Sequence, residues 1–361
     1  MSDNKNEAEN TVHVSSDDLD VGMISKREPH PAHAGFAEAV GADRIDVDPV
    51  GPPGSALEDL LTGVSVRNAP IHEVYILEDA GDLYAAPFLA RRSDPTFVLL
   101  AASHRTTLEG YRLRPTEGPK AAVRWLDRHV DVACLRRLLR RYVDGVVANS
   151  DLSARSVRRI SSDLPVRIAE PYVQPVVYGR LQSVDPALDG PTAVFVGEAR
   201  EHKGIDLLVE AWPEVRRRVP NARLELVGRG HAERHGRVEG VTVRGYVDRI
   251  EDVFGAAALY VHPARYEAWG VAPAEAMLAG LPSVVTDRTG IAPHVAEVHE
   301  RLVTSPNPTE LAETVTWYFR RDGETKRRLS ERARARARPF DESTRTDAFE
   351  REFRELLSEL G

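Results

Sequence analysis

Apolar runs of strand length recur along this chain and alternate with helical stretches, and that alternation limits the fold more than any other feature. Val21-Gly-Met-Ile-Ser25, Arg44-Ile-Asp-Val47, Val74-Tyr-Ile-Leu77, residues 97–102, Gly145-Val-Val-Ala148 and Val166-Arg-Ile-Ala169 read as strands, with helices at about residues 33–40 and 83–91 and a helical stretch between the last two strands. Continuous apolar runs are buried on both faces, which argues for parallel sheets covered by helices. The turn-rich segment 181–191 interrupts the series, and a second alternating series runs to about Pro339. At 361 residues the chain exceeds one ordinary core, so an α/β protein of two doubly wound domains is expected. The expected division is a polar, acidic, disordered tail (1–20), a first domain (21–180), a linker (181–191), a second domain (192–340) and a C-terminal helix (341–361). In that helix Ala348, Phe349, Phe353, Leu356, Leu357 and Leu360 recur at helical spacing and require a surface to dock on.

Composition narrows the function classes. Apolar residues make up 42% of the chain, yet no run approaches the about 20 apolar residues needed to cross a bilayer. The N-terminus lacks the basic start and apolar stretch of a secretion signal. A single cysteine, Cys134, excludes an intramolecular disulfide and a multi-cysteine metal site, so a cytoplasmic protein is expected. The net charge of −8, with five lysines against 43 arginines, argues against a nucleic-acid partner and suits a salty medium.

Residues 259–285 say most about chemistry. Leu259-Tyr260-Val261 reads as a strand, 265–270 as a loop and 273–279 as a helix that opens on Pro273 and stops at Gly280. Such a unit leaves the N–H groups of Val271, Ala272 and Ala274 unpaired at the strand's carboxyl end, where the helix dipole favours an anion. Glu267 precedes this phosphate seat and Glu275 lies in the first helical turn, so the two carboxylates can accept hydroxyl hydrogen bonds on opposite sides of a phosphoester. Two glutamates eight positions apart are ordinarily surface residues in so acidic a chain, and their significance here comes from that context. Lys203, on a strand-to-helix turn beside Gly204, suits a phosphate for the same reason. Gly228-Arg-Gly230 reads as a tight turn, because position 233 is Glu and the third glycine of a dinucleotide fingerprint is missing.

Residues 267–286 (EAWGVAPAEAMLAGLPSVVT) resemble the donor-sugar signature of the retaining, nucleotide-sugar-dependent glycosyltransferases of family 4. Phe195-Val-Gly197 with Lys203-Gly204 and the helix after them, the unit 220–230 and the unit 241–247 resemble further parts of that donor domain, in the family's order. The resemblance is strong from about Thr192 to Val295 and weak before Arg180. It implies the GT-B fold: two Rossmann-like domains facing a cleft, acceptor side first and donor side second, with the last helix packed back on the first domain. It also implies a metal-independent retaining enzyme of hexosyltransferase type. Such an enzyme uses no cofactor and takes a nucleoside diphosphate sugar as donor and a hydroxyl of a glycan, a lipid-linked molecule or a small molecule as acceptor.

By this resemblance Lys203 and Arg200, with the N–H groups of Val271 and Ala272 behind Gly270, serve the diphosphate, Glu267 holds the sugar and Glu275 the ribose. Val247 joins the donor-binding set. His104, after a buried strand, is the candidate for the histidine that faces the donor, and Ser150 is a candidate cleft residue. Two departures stand out. The arginine expected five residues before Lys203 is Glu198, leaving Arg200 to substitute; the glycine-rich loop expected after the first strand is Ser25-Lys-Arg-Glu-Pro-His30. Either the first domain approaches its ligands differently, or Lys26 and Arg27 replace backbone amides.

Arg136, Arg137, Arg140 and Arg141, and Arg332, Arg334, Arg336 and Arg338, read as solvated helix faces; the alternative is peripheral contact with an anionic membrane carrying a lipid-linked acceptor. A GT-B epimerase and a catalytically silent scaffold that binds nucleotide sugars are the competing readings. A phosphorylase would need a pyridoxal phosphate site that the sequence does not display.

Overall fold

The computed structural model describes residues 19–26, 29–51, 55–103, 105 and 121–361; the tail expected over 1–20 falls almost entirely outside the described residues, as do Arg27 and His104. Twelve strands among the described residues form two six-stranded sheets, every pairing parallel. The first sheet runs β2-β1-β3-β4-β5-β6, from β1 Val21–Ser25, β2 Asp43–Asp46, β3 Val74–Leu77, β4 Thr96–Ala101, β5 Gly145–Ala148 and β6 Val166–Ile168. The second runs β12-β11-β10-β7-β8-β9, from β7 Thr192–Val196, β8 Arg223–Val227, β9 Val241–Gly245, β10 Leu259–His262, β11 Ser283–Thr286 and β12 Val303–Thr304.

The apolar runs are where two-sided burial requires them. β3, β5, β10 and β11 are buried at every position. β2, by contrast, reads Asp-Arg-Ile-Asp, is mostly exposed and forms a short charged edge, which blocks further strand addition. Each sheet reverses its winding once, between β1 and β3 in the first and between β7 and β10 in the second. Ligands of open α/β sheets bind beyond the strands' carboxyl ends at such reversals, so this topology nominates the loops after β1, β3, β7 and β10.

The chain passes between domains earlier than 181. Val173 and Leu181 are buried in the second sheet's core, and the helix Pro175–Leu181 packs on the helix Val271–Leu278. The turn-rich composition of 181–191 marks a surface connection inside the second unit. The last helix, Glu342–Leu360, lies against the first sheet, with Phe349, Phe353 and Leu356 buried beside Val21, Met23 and Phe36. Phe349 stacks on Phe36 at 4.3 Å and 2°. The two units are also joined by Glu170, which follows β6 of the first sheet, accepts from Arg345 of the last helix at 3.0 Å and pairs with His294 of the second unit.

Arg334 departs from the solvated face expected of its helix, Gly323–Ala337. Its guanidinium turns inward and donates to the carbonyls of Gln182, Leu278, Val184 and Ala279 at 2.8–3.2 Å, satisfying the carboxyl end of the helix Val271–Leu278. Arg334→Ala strips these carbonyls of a charged donor, and we expect a loss of about 1–3 kcal/mol in chemical denaturation. A change within about 0.5 kcal/mol, as for an ordinary surface site, would show that water replaces the guanidinium without cost.

Candidate functional site

The reversal of the second sheet assembles a compact polar site. β7 leads into the turn 197–204, and β10 into the loop 263–270. Arg265 braces one against the other: its N–H donates to the His202 carbonyl at 2.8 Å, and its guanidinium grips Asp206 at 2.6 and 2.7 Å and the Glu201 carbonyl at 3.0 Å. Gly204, at φ 65°, permits the close approach, since a Cβ there would stand 2.1 Å from the Pro263 carbonyl oxygen. Lys203 therefore projects onto Glu267, and their side chains form an ion pair. The Glu267 backbone is pinned on its other flank by donation to the Arg288 carbonyl and acceptance from Gly290 N–H, both at 2.9 Å.

The helix after this loop begins at Val271, two residues before the expected start. Gly270 adopts φ 112°, which sets up the first turn early and moves Pro273 to the third helical position. Glu275 consequently lies in the second turn, and the Ala274 N–H is already used by the Gly270 carbonyl at 3.3 Å. Among the described residues no side chain caps the helix, which leaves the N–H groups of Val271 and Ala272 as its open donors there. Arg200, Lys203, Glu267, Val271, Ala272 and Glu275 all line one cavity of about 440 Å³.

A second cavity of about 410 Å³ adjoins it from the first sheet's reversal and is lined by Lys26, His30, His33, Glu78, Asp79 and Asp82 among others. His30, Ala102, Ser103, Glu267 and Val271 border both spaces. Glu78 organises this wall: it accepts from Ser25 Oγ at 2.8 Å and from the His30 N–H at 2.9 Å, and its carboxylate lies 3.0 Å from His33 Nδ1. Lys26 is paired with the buried Asp59.

The electrostatics divide the carboxylates by role. Burial pushes Glu267 up, but the Lys203 ammonium and the His262 hydrogen bond outweigh it and hold the carboxyl well below the usual range. Glu275 keeps part of its surface in the cavity and has no ion-pair or hydrogen-bonding partner for its side chain among the described residues, and burial pushes its pKa up to about 7. On the opposite wall burial raises Asp82 well above its ordinary value, whereas Glu78 is lowered because His33, the His30 N–H and Ser25 outweigh its burial. His30, though exposed to the cleft, is lowered to about 4 by desolvation, with His33 adding to the effect.

Several expected site residues are placed otherwise. Ser150 lines neither cavity: it is buried, caps the helix Asp151–Ile160 and donates to the Ala268 carbonyl, clamping the first domain to the Glu267 loop. Val247 packs against the second core and lines neither cavity. Arg200 is at the cavity, but Glu198, the residue standing where an arginine was expected, binds it at 2.7 and 3.0 Å. His104 and Arg27, two further candidates, lie outside the described residues. The sequence reading missed His262, which sits 3.2 Å from Glu267 Oε2, and the Glu78, Asp79 and Asp82 wall. A histidine two positions after Tyr260 at a strand's carboxyl end was the available signal for the first. Among the described residues no three His, Cys, Asp or Glu side chains gather as metal ligands, and no helix is long and apolar enough to cross a membrane.

Two facing doubly wound sheets, with the uncapped start of the helix Val271–Leu278 and a Lys–Glu pair at the cleft, have the GT-B architecture. Residues 190–321 match the family described as glycosyl transferases group 1. Sucrose-phosphate synthase from Thermosynechococcus elongatus superposes with a TM-score of 0.71 at 16% identity, covering 94% of this chain and 99% of that one. HepE from Anabaena, solved in complex with UDP and glucose, superposes with a TM-score of 0.67 at 15% identity, covering 94% of this chain and all of that one. Mannosylfructose-phosphate synthase from Agrobacterium fabrum is 31% identical over 121 residues, or 28% of this chain and 27% of that protein. The chain thus matches about a quarter of that relative's length.

Proposed function

We propose that this protein is a retaining glycosyltransferase that takes a sugar from a nucleoside diphosphate sugar and transfers it to an acceptor hydroxyl without a metal ion. The observation that carries this reading is the Lys203–Glu267 pair at the second sheet's reversal, beside the open N–H groups of Val271 and Ala272 and facing the cavity of the first domain. Lys203 and the two amides supply fixed positive ends for charge developing on the leaving diphosphate. Glu267, ionised, accepts from hydroxyls of the transferred sugar, and Glu275 from the ribose. The acceptor enters along the Glu78 and Asp79 wall. Attack comes from the face the diphosphate leaves, and the leaving phosphate oxygen takes the acceptor's proton. Glu267 is not asked to be the nucleophile: two partners already hold its Oε2.

A panel of nucleotide sugars screened by thermal shift identifies the donor, since a ligand of the folded state alone raises its melting temperature. The matching donor should then be hydrolysed slowly without acceptor. Because Lys203 and a helix N-terminus supply the positive charge, turnover is expected to survive excess chelator; loss on chelation with recovery on magnesium or manganese refutes a phosphate site built from Lys203 and the Val271 and Ala272 amides. A second reading is favoured by one observation, the capture of Arg200 by Glu198, which withdraws a cation from the cavity mouth. Tight nucleotide binding with no donor hydrolysis and no transfer to any acceptor assigns the silent scaffold.

A further inference from the structure

His262 is 0% exposed, yet both of its ring nitrogens face polar partners: Nε2 lies 3.2 Å from Glu267 Oε2 and Nδ1 3.2 Å from the Tyr260 hydroxyl. It is the last residue of β10, and the strand's period of two puts its ring on the same face as that of Tyr260. The two rings stack at 6.1 Å and 16°, and Phe195 of β7 stacks on the imidazole at 5.8 Å and 19°. The ring is held against rotation.

These contacts fix the tautomer. A carboxylate only accepts hydrogen bonds, so the nitrogen facing Glu267 carries the proton. Desolvation lowers the His262 pKa and keeps the imidazole neutral, which leaves Nδ1 bare. The Tyr260 hydroxyl is the donor that meets it; its longer approach to the Val196 carbonyl, 3.3 Å, competes for the same proton.

We propose that His262 is a positioning residue for Glu267, holding the carboxylate's Oε2 through the Tyr260–His262 relay so that Oε1 is presented to the sugar. This role rests on the glycosyl-transfer reading. Lys203 and His262 both grip Oε2, and Oε1 makes no hydrogen bond among the described residues. The backbone of Glu267 is pinned by Arg288 and Gly290, so the side-chain rotamer is the freedom left to control. Lys203 has a second task. When its ammonium turns to the donor's diphosphate, His262 is the partner that stays.

Three variants test this: His262→Leu, His262→Gln and Tyr260→Phe. His262→Leu is expected to lower kcat by about 10–100-fold, the scale of one hydrogen bond to a charged group, with the affinity for free nucleoside diphosphate changed less than about twofold. His262→Gln, whose amide N–H can reach the same oxygen, should recover most of that loss, and Tyr260→Phe should cost less than His262→Leu. Nuclear magnetic resonance of the unliganded protein supplies a readout independent of turnover. Nitrogen shifts should show His262 in the Nε2–H form, retained in Tyr260→Phe because the Glu267 carboxylate still faces Nε2, and the Glu267 carboxyl should titrate higher in His262→Leu. A His262 proton on Nδ1, or equal losses in His262→Leu and His262→Gln that follow their melting temperatures, overturns the proposal and leaves a ring that only packs. If the expected resonance shifts appear but the unmodified protein turns over no nucleotide sugar, the positioning role stands and the glycosyl-transfer reading fails.

Discussion

Lys203→Ala is expected to lower kcat by about 10²–10³ at saturating donor and to leave the fold intact, the loss typical of removing one preorganised donor aimed at developing charge. The fold should survive because Lys203 does not hold its own turn. The Arg265 guanidinium does so, through Asp206 and the Glu201 carbonyl, and Gly204 keeps the approach to Pro263. In the free protein the ammonium stabilises the ionised Glu267, so the variant should also show the Glu267 carboxyl titrating closer to the usual range. The two readouts separate the lysine's tasks: turnover reports the diphosphate, and the carboxyl titration reports the ion pair. Unchanged turnover at saturating donor would sink the assignment of Lys203 to the diphosphate, whatever happens to Glu267.

The features legible in the sequence were those with a periodic or positional physical cause. Strands buried on both faces produce continuous apolar runs, so β3 at Val74–Leu77 and β5 at Gly145–Ala148 are found at the residues expected. Glycine and proline punctuation marked the strand, loop and helix around Glu267, but not the helix start: Pro273 tolerates the third helical position, and the conformation of Gly270 chose the earlier turn. Residues whose roles depend on distant partners were not legible. Ser150 was a cleft candidate by family resemblance, but its oxygen is committed to Ala268, over a hundred positions away in sequence. Arg334 shares its alternating pattern with Arg332 and Arg336, and only the carbonyls of Gln182, Val184, Leu278 and Ala279 distinguish it. The wall of Glu78, Asp79 and Asp82 is set by the first sheet's reversal, a property of strand order that local sequence does not encode.

Glu267→Gln and Glu275→Gln are expected to fail in different ways, because one carboxylate is ionised and paired while the other is raised by burial to about 7 and has no ion-pair partner among the described residues. Glu267→Gln removes the charge that Lys203 and His262 are arranged around and should lower kcat and kcat/KM together with the full donor, sparing affinity for the free nucleoside diphosphate. Glu275→Gln should weaken the free nucleotide and the intact donor alike, since both carry the ribose. The pKa of Glu275 adds a sign to the second case. Ribose hydroxyls donate best to the ionised carboxylate, so binding should release a proton, and nucleotide affinity should rise with pH through about 7 and level off above it. Glu275→Gln should abolish that dependence. In the unliganded chain the same shift works against the fold: the folded state keeps its proton up to about 7 while the unfolded state releases it near 4.5, so this group's contribution to stability falls as pH rises between those values. The glutamine variant, free of that burden, should be more stable than the parent above pH of about 7 even as it binds nucleotide less well. Calorimetry with the free nucleoside diphosphate, in two buffers of different ionisation enthalpy, measures affinity and proton release together. Equal weakening of the free nucleotide by both substitutions, or proton release that persists in Glu275→Gln, assigns the ribose to residues other than Glu275 and removes the division of labour between the two glutamates.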